Sequence, residues 1–257
     1  MIYDGHGKGD LADPTASNSK PRSVQGSTLS ITAIIPAYNE GGRIGKVLGV
    51  LRQVPQLNEI IVVDDGSCDT TIDETRQAGL FDKRIRVISH EVNRGKGQSI
   101  FTAWQVTKTK YILLLDADLI GLTPELVIDL ITPVTQGKAD MTVGLFRKGS
   151  LRTDLGHWAT PWLTGQRCLI ADLLDDVSYQ AAEGYGIETA LTVAAKRYDW
   201  RVKPVQLMSV THIPSEAHRG FWRGVKIRTR MYLQVVRAWY IASGGGQIST
   251  RLRDWIG

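Results

Sequence analysis

The strongest constraint on the fold is the alternation of short, mostly apolar runs with segments of helical spacing. Four such runs lie in the first half of the chain, at 31–35, 60–63, 85–88 and 111–115. Apolar residues three or four positions apart fill the segments between them. Runs that are apolar throughout predict strands covered on both faces, and the interleaved helices predict parallel connections. The sequence therefore predicts an α/β fold around a mostly parallel, nucleotide-binding sheet.

The second half of the chain is less regular and predicts the completion of the same sheet. Strands are expected at 141–145 and 202–210 and a helix at 188–197, whereas 163–170 is ambiguous. A single domain is therefore expected over residues 29–219. Residues 1–28 have too little apolar surface to offset their ordering entropy and predict a flexible leader. Residues 220–257 predict an amphipathic helix with a short tail.

Composition excludes some classes of protein but selects no partner. The net charge of +5 suits an anionic ligand or an anionic lipid as well as nucleic acid. Two cysteines, Cys68 and Cys168, exclude a disulfide scaffold and a four-thiolate zinc site, and predict free thiols in a reducing compartment. The most apolar stretch, 111–122, is short and contains two aspartates. We therefore expect a cytoplasmic protein that is at most peripheral at the inner face of the membrane.

Polar clusters follow three of the predicted strands directly. They are Pro36-Ala-Tyr-Asn-Glu40, Asp64-Asp-Gly-Ser67 and Asp116-Ala-Asp118. In open α/β sheets the carboxyl ends of the strands form the crevice in which ligands bind. Carboxylates from three strand ends would repel one another, so a cation or hydrogen-bond donors should accompany them. The alternative is that Asp64, Asp65 and Asp69 are turn and capping residues, with Asp69 as a helix N-cap.

Two of these segments carry the chemistry of a diphosphate site. Asp116 and Asp118 are two residues apart at a strand end and suit a hard divalent cation such as Mg²⁺ or Mn²⁺. The loop Asn93-Arg-Gly-Lys-Gly97 places two cations before a predicted helix, where a diphosphate can bind. Gly97 replaces the Ser or Thr of a phosphate-binding Walker loop, and no strand leads into G-x-G-x-x-G. The pattern therefore argues against a dinucleotide-dependent oxidoreductase.

Taken in order and spacing, these four motifs resemble those of family 2 glycosyltransferases of the GT-A fold, over about residues 29–212. Such enzymes transfer a sugar from a nucleoside diphosphate. The resemblance implies that Lys96, Asp116 and Ala117 line the donor site and that Asp118 ligates Mg²⁺ or Mn²⁺. It also implies that the base and ribose are held by Pro36, Ala37, Tyr38, Asn39, Glu40 and Asp65.

A narrower resemblance begins at Gly184-Tyr-Gly-Ile-Glu188 and continues to His212. This region is similar to the glucosyl-3-phosphoglycerate and mannosylglycerate synthases. It implies that Tyr185, Gly186 and Glu188 lie beside the donor sugar and that His212 is a second metal ligand. Arg152 and Thr153 would lie near an acidic acceptor, and Gly165-Gln-Arg167 in the acceptor wall, although a simple turn there is an equal alternative. Where that group has an arginine two residues before the histidine, this chain has Val210.

The resemblance implies a metal-dependent glycosyltransferase with Glu188, Asp118 and Lys96 as its catalytic residues. The donor would be a UDP- or GDP-hexose, the acceptor a small acid such as a glycerate or phosphoglycerate, and no nucleic acid is expected. Transfer to a polyprenyl phosphate, as in dolichyl-phosphate mannose synthases, stays open, and so do a nucleotidyltransferase and a non-catalytic nucleotide-sugar sensor. Glu188 would act as a base if the reaction inverts the sugar, and would stabilise the sugar if it retains configuration.

The predicted C-terminal helix has an apolar face and a basic face. It could pack on the domain, form a homodimer contact, or lie on an anionic membrane surface. A membrane location would suit a lipid-phosphate acceptor.

Overall fold

The computed structural model describes residues 30–147, 164–179, 182 and 186–212. Its elements follow the predicted alternation of strands and helices. In chain order they are β1 (Ile31–Ala37), α1 (Ile44–Leu51), β2 (Glu59–Asp64), α2 (Thr71–Phe81), β3 (Ile85–Ser89), α3 (Lys96–Val106), β4 (Tyr111–Leu114), β5 (Leu119–Ile120), α4 (Pro124–Thr135), β6 (Met141–Arg147), β7 (Arg167–Ile170), a 3-10 helix (Ala171–Asp176), α5 (Ile187–Arg197), β8 (Val202–Met208) and β9 (Thr211–His212).

Within the described residues, a seven-stranded sheet has the order β3-β2-β1-β4-β7-β6-β8. Its strand pairs are parallel except for β7, which is antiparallel to both β4 and β6. The predicted α/β class with a mostly parallel sheet is confirmed. Because β7 runs the other way, its first residue, Arg167, pairs with Leu114 at the end of β4. The start of β7 therefore reaches the edge of the sheet where the predicted polar clusters lie.

Hydrophobic clusters cover the sheet on both faces. Ile31, Ala33 and Ile35 of β1 pack on one side, and Ile34 packs on the other, all fully buried. This two-sided burial explains why the strands are apolar at successive positions. Helices α1 and α4 contribute to the first cluster, and α3 and α5 to the second.

The N-terminus of α2 differs by one residue from the prediction. Thr70, not Asp69, occupies the N-cap position, and its own side chain makes no capping bond. The Asp69 carboxylate instead accepts hydrogen bonds from the backbone N–H and the hydroxyl of Thr71. Asp69 therefore still accepts a hydrogen bond from a backbone N–H of the first turn, although it lies one residue before the N-cap.

Three predictions fall outside the part of the chain that the structure describes. They concern the leader at 1–28, the amphipathic helix within 220–257 and the full extent of the domain at 29–219. No helix in the described part is both long enough and apolar enough to span a membrane.

Gly97 in the first turn of α3 packs directly against backbone from a later part of the chain. A Cβ atom added to Gly97 would lie 1.6 Å from the carbonyl oxygen of Ala182. A glycine is therefore required for this close approach. The contact brings the first residue of α3, Lys96, towards the segment that precedes α5.

We expect Gly97→Ala to destabilise the protein by about 1–3 kcal/mol, because backbone must move to relieve the overlap. Gly49→Ala in α1 is a matched control, since no heavy atom lies within 4 Å of the added Cβ. That control should be neutral or stabilise by up to about 1 kcal/mol, because alanine lowers the entropy of the unfolded chain. Urea denaturation measures both changes. Equal stability of Gly97→Ala and wild type would contradict the packing of α3 on Ala182.

Candidate active site

The candidate site lies at the sheet edge where β1, β2 and β4 end and β7 begins. The predicted clusters after β1, β2 and β4 all lie at this edge, because these three strands are parallel. The N-termini of α3 and α5 supply two further polar side chains, Lys96 and Glu188, which are bonded to each other.

The loops after β1 and β2 are joined by hydrogen bonds. The N–H of Asn39 donates to Ser67 Oγ at 2.9 Å, and Asn39 Oδ1 accepts from the N–H of Cys68 at 2.9 Å. The N–H of Glu40 donates to Thr71 Oγ1 at 2.8 Å. Asn39 has a φ of 56°, in the left-handed region that asparagine tolerates better than most residues. Its amide oxygen, predicted to contact the nucleotide, is instead bonded to the neighbouring loop.

The other predicted nucleotide contacts of this segment differ in position. Pro36 and Ala37 belong to β1 itself and pair with Val63 and Asp64 of β2. Tyr38, by contrast, has 43% of its surface exposed at the edge of the sheet. Of these three residues, Tyr38 therefore has the side chain most accessible to a ligand.

Asp65 fixes the glycine-containing loop that precedes α3. Its carboxylate accepts from the backbone N–H groups of Arg94 and Gly95 at 2.9 and 2.7 Å, and lies 2.7 Å from His90 Nδ1. The side chain is only 4% exposed. The carboxylate is bonded inside the protein and shapes the loop that presents Lys96, and its contact with the base or ribose stays a prediction.

Lys96 joins two of the predicted acidic residues. Its ammonium donates to Asp116 Oδ1 at 2.5 Å and to Glu188 Oε1 at 2.6 Å. Burial alone would lower the pKa of Lys96, but attraction to Asp116 and Glu188 outweighs burial and raises it. The lysine is therefore a permanent cation between two carboxylates, and we call these residues the Asp116–Lys96–Glu188 triad. It unites residues from α3, the end of β4 and α5.

Gln166 completes the environment of Asp116, and it belongs to the segment Gly165-Gln-Arg167, for which the sequence leaves an acceptor contact and a simple turn equally open. Its Nε2 donates to Asp116 Oδ2 at 2.7 Å, so both oxygens of this carboxylate are held. At Gly165, an added Cβ would lie 2.5 Å from Lys96 Nζ, so only glycine leaves room for the triad. Gly165 and Gln166 are visible in the sequence as a turn-like pair before β7. Their proximity to Asp116 could not be read from it, because that depends on the antiparallel direction of β7.

The carboxylates at this edge create a concentrated negative potential. Burial and the charge of Asp118 raise the pKa of Glu40 to about 7, with smaller contributions from Asp116 and Asp69. Arg43 opposes this rise, and its Nε lies 2.9 Å from Glu40 Oε2. One arginine thus compensates the repulsion only in part. An additional cation would be stabilised here.

The donor set at this edge fits a divalent cation that a bound ligand helps to coordinate. Among the described residues, no group of three or more His, Cys, Asp or Glu side chains could hold a metal ion by itself. Mg²⁺ is usually held by only one or two carboxylates together with substrate phosphates and water. Asp118 immediately precedes β5, and the backbone of Leu119 in β5 pairs with His212 in β9. The chain around the two predicted metal ligands is therefore brought together.

The side chain of Arg167, which the resemblance places in the acceptor wall, is enclosed within the protein. Its side chain is fully buried and donates to the carbonyl oxygen of Thr164 and to Thr192 Oγ1, each at 3.1 Å. Burial lowers the pKa of Arg167 to about 10, although the charge of Glu188 opposes this effect. The guanidinium is thus enclosed by protein groups. An acceptor contact at Arg167 stays a prediction.

The remaining predicted residues divide into two groups. Gly186 is the N-cap of α5, and Glu188 lies in the first turn of that helix with 8% of its side chain exposed. Arg152, Thr153 and Tyr185 lie outside the residues that the structure describes.

An open α/β sheet with ligand-binding groups at the carboxyl ends of its strands is the architecture of nucleotide-binding enzymes. The chain belongs to glycosyl transferase family 2, whose sequence model matches residues 32–186. It is therefore a glycosyltransferase. The match includes the loops after β1 and β2, the Asp116–Asp118 segment and β7.

Comparison with known proteins supports this assignment. A glucosyl-3-phosphoglycerate synthase of Mycolicibacterium paratuberculosis is 26% identical over 206 residues, which are 65% of this chain and 60% of the synthase. A dolichyl-phosphate beta-glucosyltransferase of Saccharomyces cerevisiae is 31% identical over 127 residues, 44% of this chain and 37% of that protein. The chain thus spans less than two thirds of the length of either relative.

A solved structure shares the fold. It is the glucosyl-3-phosphoglycerate synthase of Mycobacterium tuberculosis in complex with Mn²⁺, UDP-glucose and phosphoglyceric acid. The two chains superpose with a TM-score of 0.68 and 23% identity, over 85% of this chain and 81% of the other. At this identity the comparison establishes the GT-A fold.

The raised pKa of Glu40 predicts a pH-dependent stability. The folded protein holds this proton more tightly than the unfolded chain, because the folded pKa is about 7 and the ordinary value is 4.5. The contribution to stability is complete below the ordinary value and is lost as the pH rises through about 7. Glu40→Gln removes this dependence.

Relative to wild type, Glu40→Gln should therefore gain stability between about pH 5 and pH 8. Thermal unfolding across this range measures the difference. Glu91→Gln, at an exposed position, is the control and should show no such gain. A constant difference between Glu40→Gln and wild type would contradict the raised pKa that burial and Asp118 give Glu40.

Proposed function

We propose that this glycosyltransferase is metal-dependent and transfers a hexose from a nucleoside-diphosphate sugar to a small acidic acceptor. The observation that carries the proposal is the Asp116–Lys96–Glu188 triad, which adjoins Asp118 at the carboxyl edge of the sheet. This arrangement combines a fixed cation with carboxylates that attract a second cation. A diphosphate bearing a divalent ion is complementary to it.

Asp118 and His212 are the residues that we propose to hold Mg²⁺ or Mn²⁺. The bound ion would supply Lewis-acid stabilisation of the negative charge on the departing nucleoside diphosphate. The comparison structure holds Mn²⁺ together with UDP-glucose, which supports this choice of group. Asp116, held by Lys96 and Gln166, would orient the Asp118 segment towards the ligand.

Lys96 and Glu188 would act on opposite ends of the bond that breaks. The ammonium can stabilise a phosphate oxygen, since a lysine is an effective point charge for phosphates. The Glu188 carboxylate can stabilise positive charge that develops on the sugar ring in the transition state. One oxygen of this carboxylate already accepts a hydrogen bond from Lys96 at 2.6 Å. We therefore favour a stabilising role for Glu188 over that of a general base.

The acceptor class rests on the glucosyl-3-phosphoglycerate synthases. Both the curated relative and the solved structure carry that name, and the solved complex contains phosphoglyceric acid. A glycerate or phosphoglycerate is therefore the first acceptor to test, with Arg152 and Thr153 as its proposed contacts. UDP-glucose is the first donor, and GDP-hexoses follow.

A polyprenyl phosphate is the second candidate acceptor. The observation in its favour is the 31% identity to the yeast dolichyl-phosphate beta-glucosyltransferase. The basic face of the predicted C-terminal helix would suit a lipid surface, which is a proposal about residues beyond those described.

A matrix of donors and acceptors tests the proposal. UDP- and GDP-hexoses are incubated with Mn²⁺ or Mg²⁺, and nucleoside diphosphate release is followed with 3-phosphoglycerate, glycerate or undecaprenyl phosphate in detergent. We expect acceptor-stimulated release with one of the two acids. Stimulation by undecaprenyl phosphate alone would favour the lipid reaction, and release of pyrophosphate instead would overturn the proposed reaction class.

We expect Asp118→Ala to fold normally but to lose divalent-dependent turnover, because the diphosphate would lack its counter-ion. Asp129→Ala is the matched control, since Asp129 is exposed on α4 and remote in sequence from the site. Turnover as a function of Mn²⁺ concentration distinguishes the two variants. If Asp118→Ala shows the same dependence of turnover on Mn²⁺ concentration as wild type, the proposed metal-binding role of Asp118 is wrong.

Glu188→Gln retains the size of the side chain but removes its charge. We expect turnover to fall by about 10²-fold or more while nucleotide affinity changes little, because the charge acts mainly in the transition state. Steady-state kinetics and nucleotide titration measure the two effects separately. Near-normal turnover would contradict a role in the reaction and would limit Glu188 to stabilising the first turn of α5.

A further inference from the structure

His90 lies directly after β3, and its side chain is enclosed by the protein. Only 5% of that side chain is exposed. Nδ1 lies 2.7 Å from Asp65 Oδ1, and Nε2 lies 3.0 Å from Thr102 Oγ1. An imidazole with a partner at each nitrogen has a fixed ring orientation. The proposed reaction does not use this histidine, so its two contacts require another explanation.

The register of the sheet places His90 beside Asp65. The last residues of β2 and β3, Asp64 and Ser89, pair in parallel. Asp65 and His90 follow them, and their N–H groups donate to the carbonyl oxygens of Ala37 and Asp64, each at 2.8 Å. Residues at equivalent positions of neighbouring strands project to the same side. The backbone therefore determines the pairing of these two side chains.

Asp65 transmits the contact to the loop that precedes Lys96. Its Oδ1 accepts from the N–H of Arg94 as well as from His90, and its Oδ2 accepts from the N–H of Gly95. A carboxylate that receives two backbone N–H groups acts as an acceptor, so the proton of the 2.7 Å contact belongs to Nδ1 of the histidine. His90 therefore donates to Asp65 and fixes the direction of its two oxygens.

The backbone of this loop needs such support. Gly95, the N-cap residue of α3, has φ 92° and ψ 158°, a conformation that is open essentially to glycine alone. Glycine has no side chain to cap the helix, and it has the largest conformational freedom to lose. The carboxylate of Asp65 thus fixes the residue directly before Lys96.

Thr102 connects the same histidine to α3 on the other side of Lys96. It lies further along that helix. Because Nδ1 carries a proton, Nε2 of the neutral ring accepts from the Thr102 hydroxyl. His90 therefore contacts a residue after Lys96 directly, and the residues before it through Asp65.

The ammonium of Lys96 tolerates little displacement. Nζ lies 2.5 Å from Asp116 Oδ1 and 2.6 Å from Glu188 Oε1. The lysine side chain is a flexible four-carbon stem, so the position of its charge depends on where the helix begins. A shift of about 1 Å at a reacting centre can cost a large part of the rate.

We propose that His90 is a positioning residue for Lys96. It donates from Nδ1 to Asp65 and accepts at Nε2 from Thr102, and it thereby holds the start of α3 in the place from which the ammonium reaches the departing diphosphate. The inference rests on the proposed function, in which Lys96 stabilises a phosphate oxygen.

Amide hydrogen exchange followed by NMR tests the link without any turnover assay. It compares wild type with His90→Asn and His90→Gln. The amide nitrogen of asparagine can take the place of Nδ1, whereas that of glutamine takes the place of Nε2. Only His90→Asn therefore keeps a donor to Asp65.

We expect the amides of Arg94 and Gly95 to exchange at least about tenfold faster in His90→Gln than in wild type, and within about threefold of wild type in His90→Asn. Amides in the centre of β1 are the internal reference for global unfolding. Equal exchange of the Arg94 and Gly95 amides in the two variants would overturn the proposal, and so would unchanged exchange in His90→Gln.

Steady-state kinetics tests whether the link acts on Lys96. We expect kcat to fall by about tenfold or more in His90→Gln with an unchanged KM for the acceptor, because a displaced ammonium stabilises the departing diphosphate less well. His90→Asn should retain most of kcat. A kcat per folded molecule that equals wild type in both variants would limit His90 to a structural role.

A double-mutant cycle with Lys96→Met identifies the residue through which His90 acts. Once the ammonium is absent, adding His90→Gln should lower kcat by less than about twofold further. A full additional loss of kcat in the double variant would contradict an effect through Lys96.

Thr102→Val keeps the test decisive if His90→Gln does not fold. The variant leaves the contact with Asp65 in place and removes the hydroxyl at Nε2, and we expect kcat to fall about threefold. Thr135→Val on α4 is the matched control, since its hydroxyl donates to carbonyl oxygens of its own helix. It should leave kcat unchanged. A normal kcat in Thr102→Val would contradict the second contact of His90.

The outcomes separate this inference from the proposed function. Faster exchange of the Arg94 and Gly95 amides in His90→Gln, without any glycosyl transfer by wild type, would support the positioning role and reject the proposed substrates. Glycosyl transfer by wild type with unchanged amide exchange in His90→Gln would do the reverse.

Discussion

The site depends on the ion pairs that the ammonium of Lys96 forms with Asp116 and Glu188. Parallel strands bring their carboxyl ends to one edge, so aspartates that are far apart in sequence must lie close together. Their mutual repulsion would destabilise the folded state unless cations compensate it. Lys96 compensates Asp116 and Glu188, and Arg43 compensates Glu40 in part. Burial raises the pKa of Glu40 most, and the negative charge of Asp118 raises it further.

Two polar side chains that the resemblance assigns to the nucleotide form hydrogen bonds within the protein, in the loops around Lys96. Asp65 binds the backbone before α3, and Asn39 binds the loop after β2. Both residues thus prepare the site by fixing its walls. Preorganisation of this kind is needed because a small displacement of a charged group at a reacting centre costs much of its effect. A polar motif at a strand end can therefore indicate residues that fix the loops as well as residues that contact a ligand.

The sequence predicted the elements well where a short-range pattern determines them. Strands β1, β2 and β4 are apolar at successive positions, and the helices between the strands have clear periodicity, so the positions of β1 to β4 and of these helices agree with the prediction to within about two residues. The direction of β7 and the pairing of β5 with β9 depend on long-range contacts, and no local pattern encodes them. For the same reason no local pattern indicates that Gln166 contacts Asp116 or that Arg167 is buried beside α5. Adjacent residues of a strand point to opposite faces, so one contacts Asp116 while the other is enclosed beside α5.

Val210 bears on the choice of acceptor. The synthases that this chain resembles have an arginine at the corresponding position, whereas Val210 is fully buried in the hydrophobic cluster that also contains Leu119 and Leu207. An arginine enclosed in this cluster would need a compensating charge. The valine instead anchors the turn before β9 by apolar contact, so it cannot supply a cation to an anionic substrate. If the acceptor is a small acid, its charge must be bound by other cations, and Arg152 is the proposed one. We therefore propose that, for a small-acid acceptor, Arg152 takes the place of the arginine that the resemblance alone would suggest.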